Sequence, residues 1–239
     1  MAKNTAFPET QTIVIDGDLV RVQRTIVERQ VRTSELLQEL ASLYPLATGL
    51  LPRQCIAYAR VNDNDKQAVT VYVIERAAGL ASIRFKDGGS RDRQSDDNIA
   101  ELKLSWPHTY WLVKMVGTAI SDLYIACSTH PIRDLNEGVF VLPMPNIYDD
   151  GYGAVCLGNL VVPDTLTPAA RVEKLIESVM SSLWNNDLSP WLEDVGVESL
   201  AQWAKRSTED PQLGLKLQYR PHRHETLAKL MESLLGETQ

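Results

Sequence analysis

Residues 167–184 read TPAARVEKLIESVMSSLW and carry the strongest helix signal of the chain. Thr167 is suited to cap the helix, and Pro168 stands at the first helical position, where its fixed φ is favourable and its missing N–H is not needed. The apolar residues that recur at helical spacing are Val172, Leu175, Ile176, Val179, Met180 and Leu183. The stretch therefore predicts an amphipathic helix over 168–184 whose apolar face supplies the helical layer of a core.

Ahead of this helix the chain is dominated by short runs of β-forming residues. They are QCIAYARV (54–61), AVTVYVIE (68–75), LASIRFKD (80–87), AELKLSW (100–106), YWLVKMV (110–116) and DLYIACS (122–128). The turn signals NDND and AAG separate the first three runs, a spacing typical of an antiparallel meander. We therefore expect residues 50–128 to form one antiparallel sheet of successive strands, packed on the helix that starts near Thr167.

The first part of the chain predicts a separate small element. Residues 11–28 are expected to form a β-hairpin that turns at Asp16, Gly17 and Asp18, because this turn accepts positive φ angles. A short helix over 32–44 should follow it. We therefore predict an N-terminal hairpin-helix extension over 1–49 and a main domain over 50–239.

The last part of the chain predicts a long loop and then helices. The stretch 129–163 is rich in Pro and Gly but too apolar for disorder, so an ordered, packed loop is expected. Two helices shorter than the one at 168–184 are expected at 197–206 and 224–235. Strands first and helices later indicate an α+β domain, with an antiparallel meander sheet packed on C-terminal helices.

Composition excludes several classes of function. The formal net charge of −7 argues against a nucleic-acid partner, because nucleic-acid-binding domains usually present a basic surface. The basic run YRPHRH at 219–224 is interpreted as the solvated start of a helix rather than a weak anion site. The first residues lack a signal-peptide core, and no apolar run approaches the roughly 18 residues of a membrane span. We expect a folded cytoplasmic protein with no membrane partner.

The cysteine and histidine residues do not predict a metal site. Cys55, Cys127 and Cys156 are odd in number and widely spaced, which favours free thiols over a disulfide framework. Cys55 and Cys127 fall within predicted strands and are expected in the core. His222 and His224 are two residues apart, but no third ligand is evident. Neither a metal nor a cofactor is therefore expected.

The residues that carry chemistry lie in PMPNIYDDGYGAVCLGN, residues 143–159. This stretch resembles the ubiquitin-conjugating enzymes, in which a His-Pro-Asn motif, a short turn with Gly and a hydrophobic-Cys-Leu triplet follow one another. The matching residues are Met144-Pro145-Asn146 and Val155-Cys156-Leu157. The pattern is similar, more closely still, to the bacterial conjugating-enzyme-like proteins of the PRTRC cassette, known as system protein B or prokaryotic family D. Met144 stands where the family has His, and the turn before Cys156 is longer than in the eukaryotic enzymes.

The resemblance implies a fold, a function and partners. The fold would be the ubiquitin-conjugating-enzyme-like (UBC) fold, with the N-terminal hairpin-helix as an extension. The function would be carriage of a ubiquitin-like modifier as a thioester on Cys156 and its transfer to an amine. Asn146 would stabilise the oxyanion that forms during transfer, and Asp149, Asp150 or an acidic neighbour would favour loss of the proton from the attacking amine. A ThiF-type adenylating enzyme and a ubiquitin-like protein would be the partners.

Other interpretations stay open at this point. Cys156 between Val155 and Leu157 also fits a small buried core residue, since free cysteine is among the most buried residue types. Asn146 and Asp150 also fit ordinary turn formers whose side chains bond their own backbone. The alternative function is a non-catalytic UBC-fold binding module or a structural subunit of a larger assembly, and a buried Cys156 would favour it.

Overall fold

A computed structural model of the chain describes residues 11–16, 19–24, 28–30, 51–61, 67–87, 99–148, 150–186, 188 and 191–236. The chain divides into two compact units, Met1–Thr48 and Gly49–Gln239.

The first unit contains a small antiparallel sheet. Its strands are β1 (Gln11–Asp16), β2 (Leu19–Arg24) and β3 (Glu28–Gln30), paired in the order β1-β2-β3. Asp16 pairs with Leu19, so β1 and β2 form the predicted hairpin, and β3 extends it. The helix predicted over 32–44 lies outside the described residues.

The second unit is an α+β structure with a curled antiparallel sheet followed by helices. Its strands are β4 (Cys55–Val61), β5 (Val69–Arg76), β6 (Gly79–Lys86), β7 (Ile99–Trp106), β8 (His108–Val116), β9 (Ala119–Ser128), β10 (Gly138–Val141), β11 (Leu183–Asn185) and β12 (Pro221–Thr226). Its helices are α1 (Pro168–Ser181), α2 (Leu200–Glu209) and α3 (Leu227–Gly236). Two short 3₁₀ turns lie at Leu192–Val195 and Leu213–Leu215. Six strands pair in the order β12-β10-β9-β8-β5-β4, all antiparallel, and β11, β6 and β7 form a second sheet.

The predicted chain reversal at AAG, residues 77–79, is wrong. Arg76 faces Thr109 and Gly79 faces Trp106, so the register of the β5–β8 pair continues without a shift into the β6–β7 pair. The strands β5 and β6 are therefore one long arm of a two-stranded ribbon, and β7 and β8 are the other. The second arm bends at Pro107, which has no N–H for the ladder.

Because of this bend, residues 50–128 do not form a single sheet as predicted. The distal half of the ribbon leaves the six-stranded sheet, and β11 adds to β6 in parallel at Arg84–Lys86. The successive order is also wrong, because β5 pairs with β8 and not with β6. The antiparallel pairing is confirmed for every paired neighbour between β4 and β9, and the described residues of 54–87 contain no helix.

The two faces of the six-stranded sheet carry different layers. One face, with Val71, Val73, Tyr110 and Leu112, packs on α3 through Leu227, Leu230 and Leu234. The opposite face, which includes Tyr72, Ile74, Trp111 and Ile125, belongs to the larger core with α1 and α2. Alternate residues of each strand serve the two cores, as the period of two requires.

The helix α1 follows the prediction closely. The Thr167 hydroxyl accepts the N–H of Ala170 at 3.4 Å, and Val172, Leu175, Ile176 and Val179 are buried. The helix ends at Ser181 rather than 184, where the Ser182 hydroxyl donates to the Val179 carbonyl at 2.7 Å. Leu183 is therefore not on the helix but begins β11, half-buried.

The boundaries of the last two helices were predicted with errors. Ser199 caps α2 by accepting the N–H of Gln202 at 3.1 Å, so the helix begins at Leu200. The run at 219–224 is not the start of a helix, because Pro221–Thr226 forms β12 against β10, and α3 begins at Leu227. Among the described residues, no helix is long and apolar enough to cross a membrane.

Candidate functional site

The segment that follows β10 folds into a short hairpin on the edge of β9. Ile147 and Val155 form an antiparallel bridge, and the Tyr148 N–H donates to the Ala154 carbonyl at 2.9 Å. The Val155 N–H donates to Leu123 at 2.9 Å, while the Gly153 carbonyl accepts from Ile125 at 2.8 Å. The hairpin thus continues the pairing of β9 beyond the end of β10, which gives an irregular segment the support of a sheet.

Cys156 lies at the end of this hairpin with its side chain exposed. Its backbone N–H donates to the Asn146 carbonyl at 2.8 Å, so the motif residue and the cysteine are joined directly. Val155 beside it points inward and is buried. The flanking apolar residues therefore anchor the backbone, and the thiol faces solvent.

The other two thiols are placed differently. Cys127 is fully buried, and burial raises its pKa well above the ordinary value. Cys55 is half-buried, and its Sγ donates to the Ala57 carbonyl at 3.2 Å. Burial is the first cause of its raised pKa. Cys156 is thus the only cysteine of the three that is exposed.

Met144, Pro145 and Asn146 shape the first arm of the hairpin. The Met144 side chain is 1% exposed and packs in the larger core. Asn146 has a φ of 61°, in the left-handed region where Asn is tolerated better than other side-chain-bearing residues. This conformation directs its carbonyl to Cys156, so the structure fixes Asn146 at the site through its backbone.

Tyr148 is a site residue that sequence reasoning missed. Tyr148 and Cys156 lie on the same face of the hairpin, opposite to the buried Ile147 and Val155. A hydrogen bond with the Cys156 side chain is the first cause of the raised pKa of Tyr148, and the charge of Cys156 is the second. The Tyr148 ring is 43% exposed, so both groups are open to a partner. The signal was the two-residue period of a hairpin, which places residues 146, 148 and 156 on one face.

Asp150 serves the turn between the two arms. Its Oδ1 accepts the N–H of Tyr152 at 2.8 Å, the local bond expected of a turn-forming aspartate. The carboxylate remains exposed, and its charge adds to the raised pKa of Tyr148 as the smallest of four causes. Asp149 lies outside the described residues.

Comparison of the chain with protein-family models, with curated proteins and with solved structures returned no match.

The strand β12 holds the hairpin from the opposite side. The Nε2 of the buried His222 donates to the Tyr152 carbonyl at 2.8 Å, and its Nδ1 accepts the N–H of His224 at 3.1 Å. These bonds select the neutral ring with its proton on Nε2, and burial lowers the pKa of His222. The Arg223 N–H donates to the Gly151 carbonyl at 3.0 Å. The basic run at 219–224 therefore supports the cysteine hairpin.

The histidines of this strand, His222 and His224, are of a residue type that commonly binds metals. Each ring nitrogen of His222 is already engaged by a backbone group. Within the described ranges there is no group of three or more His, Cys, Asp or Glu side chains placed to hold a metal ion.

A second polar cluster at the end of β9 has a structural role. The His130 Nδ1 lies 3.5 Å from the Ser128 hydroxyl, and its Nε2 lies 3.1 Å from a Glu137 carboxylate oxygen. Ser128 is fully buried and accepts the backbone N–H of His130, so its hydroxyl is not presented to a substrate. The Glu137 carboxylate accepts two further backbone N–H groups, which identifies the cluster as the closure of a loop.

Proposed function

We propose that the unit Gly49–Gln239 is a UBC-fold domain that carries a ubiquitin-like modifier as a thioester on Cys156 and transfers it to an amine. The observation that carries the proposal is the exposed thiol of Cys156 at the end of a hairpin that is paired to β9 and bonded to Asn146. Carrier chemistry needs a thiol that two different partners reach in turn. An exposed thiol on a hairpin held by backbone hydrogen bonds meets that need better than a core position does.

The proposed cycle has two acyl transfers. In the first, the Cys156 thiolate attacks the carbonyl of the adenylated modifier C-terminus, the thioester C–S bond forms, and AMP leaves with the electron pair of the broken C–O bond. In the second, an amine attacks the thioester, the C–N bond forms, the C–S bond breaks, and the amine loses a proton to solvent or to a base. The ThiF-type adenylating enzyme and the ubiquitin-like protein are the partners that this cycle requires.

Three neighbours of Cys156 have roles in the proposed cycle. The Asn146 side-chain amide stabilises the oxyanion that develops on the carbonyl oxygen. The Tyr148 hydroxyl, which lies on the same face of the hairpin as Cys156, donates a hydrogen bond to the sulfur when the thiolate is released. The exposed Asp150 carboxylate favours the approach and deprotonation of the amine.

The alternative is a non-catalytic binding module or a structural subunit. The bond of the Asp150 carboxylate to the Tyr152 N–H favours it, because the acid is then part of the turn rather than a free base. The two functions differ in whether Cys156 becomes acylated.

The test is a charging reaction with purified proteins. The chain is mixed with ATP, a ThiF-type adenylating enzyme and a ubiquitin-like protein of a PRTRC cassette, and the products are separated with and without a thiol reductant. We expect an adduct that the reductant removes. Cys156→Ser should give a reductant-resistant ester or no adduct, whereas the matched Cys55→Ser should charge like the wild type. An adduct that persists in Cys156→Ala, or no adduct with a partner pair proven active on another carrier, refutes the carrier role.

A further inference from the structure

A groove of about 780 Å³ lies between α1 and the outer edge of the bent ribbon. Its apolar walls come from both elements and are Ile74, Ile83, Val172, Ile176 and Met180. Leu80, also on its lining, is 40% exposed. The groove lies between secondary-structure elements that are held together by the larger core, so its walls are pre-formed.

One wall of the groove is a strand edge without a partner. On this side of the ribbon, β4 pairs with β5 as far as Ile74, and the Glu75 N–H still donates to the Gln54 carbonyl at 2.9 Å. The strand β11 pairs with β6 only from Arg84. In the described part of the chain, no strand pairs with the edge between Arg76 and Ile83. The consecutive residues 80–84 all line the groove, whereas a strand seen face-on would contribute only alternate residues. The groove therefore occupies the place of a missing strand between β4 and β11.

Two arginines on the groove have no ion pair within 4.0 Å among the described residues, and of these only Arg76 is half-buried. The Glu173 carboxylate accepts the backbone N–H of Arg53 at 2.7 Å and lies 3.9 Å from the Arg53 Nε, and Glu177 pairs with Lys174 at 2.8 Å. Arg84 faces Glu101 across the β6–β7 pair without an ion pair, but its side chain is exposed, so solvent screens its charge. The Arg76 guanidinium also has no carboxylate within 4.0 Å among the described residues, and it is half-buried, so solvent screens it less.

The surroundings of Arg76 stabilise its positive charge only weakly. Its guanidinium carbon lies 5.9 Å from the centroid of the buried Trp111 ring, which is the far limit of a cation–π contact. The side chain is half-buried, and burial lowers its pKa. A guanidinium in such a position is stabilised by a carboxylate that arrives with a ligand, because its fork of N–H groups matches two carboxylate oxygens.

We propose that the groove binds an extended peptide of a partner protein, which adds as a strand to the free edge Arg76–Ile83 and places an acidic side chain against Arg76. The backbone N–H and C=O groups of the edge supply the hydrogen bonds of strand addition, and alternate peptide side chains enter the apolar groove. A peptide of about six residues fills the gap between β4 and β11 at roughly 3.3 Å per residue. This binding does not use Cys156, so its test can fail or succeed independently of the proposed thioester chemistry.

The first experiment uses a set of acetylated, amidated hexapeptides of alternating Val and Thr, with one Asp moved through each position. Binding to the full chain is followed by backbone amide NMR. We expect saturable shifts at Leu80–Ile83, strongest for one position of the Asp. Arg76→Gln should weaken the binding of that peptide about tenfold, because the charged hydrogen bond is lost. The same substitution should leave unchanged the binding of the peptide that has Asn in place of Asp. The matched control Arg84→Gln removes the same charge from the same groove and should change the affinity less than twofold.

The second experiment tests strand addition itself. An added strand uses the N–H groups of alternate residues only, so the best peptide is made in two forms, N-methylated at its odd or at its even positions. One form should lose binding and the other should keep it. Equal behaviour of the two forms overturns strand addition. If octanoate competes as well as the peptide while both forms bind, the groove takes a small amphipathic acid instead.

Two other results also overturn the proposal. One is the absence of shifts at Leu80–Ile83 with every peptide of the set at about 1 mM, a concentration at which even weak peptide sites are occupied. The other is binding that Arg76→Gln and Arg84→Gln weaken equally.

Discussion

Two edges of the β-structure in the main unit differ in whether their backbone groups are paired. At the edge of β9, the hairpin around Cys156 takes over where β10 ends, and residues 153–155 pair with 123–125. At the edge of the ribbon, the pairing ends at Glu75, whose N–H donates to the Gln54 carbonyl at 2.9 Å, and resumes only at Arg84. We call the first the closed edge, where residues 153–155 pair with β9 and the Cys156 thiol is held in a fixed position. We call the second, Arg76–Ile83, the open edge, because its backbone groups lack a partner strand in the described part of the chain and face the groove. The comparison teaches that backbone pairing can fix an exposed thiol at one edge, while the bend of the ribbon leaves the backbone groups of another edge unpaired within the described ranges.

The largest expected effect is the loss of the closed edge in Gly153→Ala. Gly153 has a φ of +68°, and a Cβ there would collide with the Ile125 carbonyl oxygen that lies in the same ladder. We expect a loss of about 3 to 5 kcal/mol in the free energy of unfolding, measured by urea denaturation. The matched control Gly158→Ala has a φ of +53° and nothing near the new Cβ, so it should lose only about 1 to 2 kcal/mol. Equal losses would show that the hairpin is not held tightly on β9.

The second prediction concerns the helix that walls the open edge. Leu175 of α1 is 1% exposed and points into the larger core, so Leu175→Ala should cost about 2 to 5 kcal/mol of unfolding free energy. Met180→Ala changes the half-buried groove side of the same helix and should cost clearly less. A loss below about 1 kcal/mol for Leu175→Ala would contradict a buried helical face.

The third prediction separates the side chain of Asn146 from its backbone. Because its φ is 61°, Asn146→Gly keeps the local conformation and removes only the amide. If the amide stabilises the oxyanion, transfer to amines should slow by a factor equivalent to about 2.7 to 4 kcal/mol, measured in single-turnover discharge of the thioester. Asn146→Ala adds backbone strain and serves as the comparison. Unchanged discharge in Asn146→Gly would limit Asn146 to a structural role.

The fourth prediction concerns the order in which the three thiols react. In the native protein iodoacetamide should modify Cys156 at least about tenfold faster than Cys127, because the buried thiol is shielded and its pKa is raised. The rate at which half-buried Cys55 is modified should lie between the rates of Cys156 and Cys127. Peptide mapping by mass spectrometry gives the three rates. A Cys156 that reacts only on unfolding would contradict the display of the thiol.

The smallest expected effect is a pH dependence that comes from His222. Burial places the pKa of folded His222 below its ordinary value of 6.5, so the unfolded chain takes up a proton first as the pH falls. The stability that the neutral His222 ring contributes to the folded protein is therefore fully present above pH 6.5. It is lost as the pH drops toward the folded pKa, by at most about 1.4 kcal/mol per pH unit. His222→Gln should flatten this slope in urea titrations between pH 7 and pH 5. His108, whose pKa burial also lowers, remains in the variant and leaves a residual slope. A slope unchanged by His222→Gln would contradict a neutral buried ring.

Part of this architecture was accessible from local patterns. The cap at Thr167, the proline at 168 and the apolar spacing predicted α1, because capping and helical periodicity depend on neighbours within one or two turns. The antiparallel strands were predicted from their composition and turn signals, and β10 within the apolar loop shows that this stretch was rightly expected to be ordered. The thioester function and the UBC fold stay predictions, since they came from a resemblance in residues 143–159.

What only the tertiary structure decided concerns pairing over long distances along the chain. The signal AAG fits a reversal or a bend equally well, and the choice depends on the partner strand, where Pro107 interrupts the ladder. The run at 219–224 became a strand because β10 and the cysteine hairpin offered it backbone partners. The contact of Tyr148 with Cys156 and the open edge beside Arg76 arise in the same way. A sequence by itself determines which faces are apolar and where helices begin, because those signals are local, whereas the register and the partner of each strand depend on residues far away in the chain.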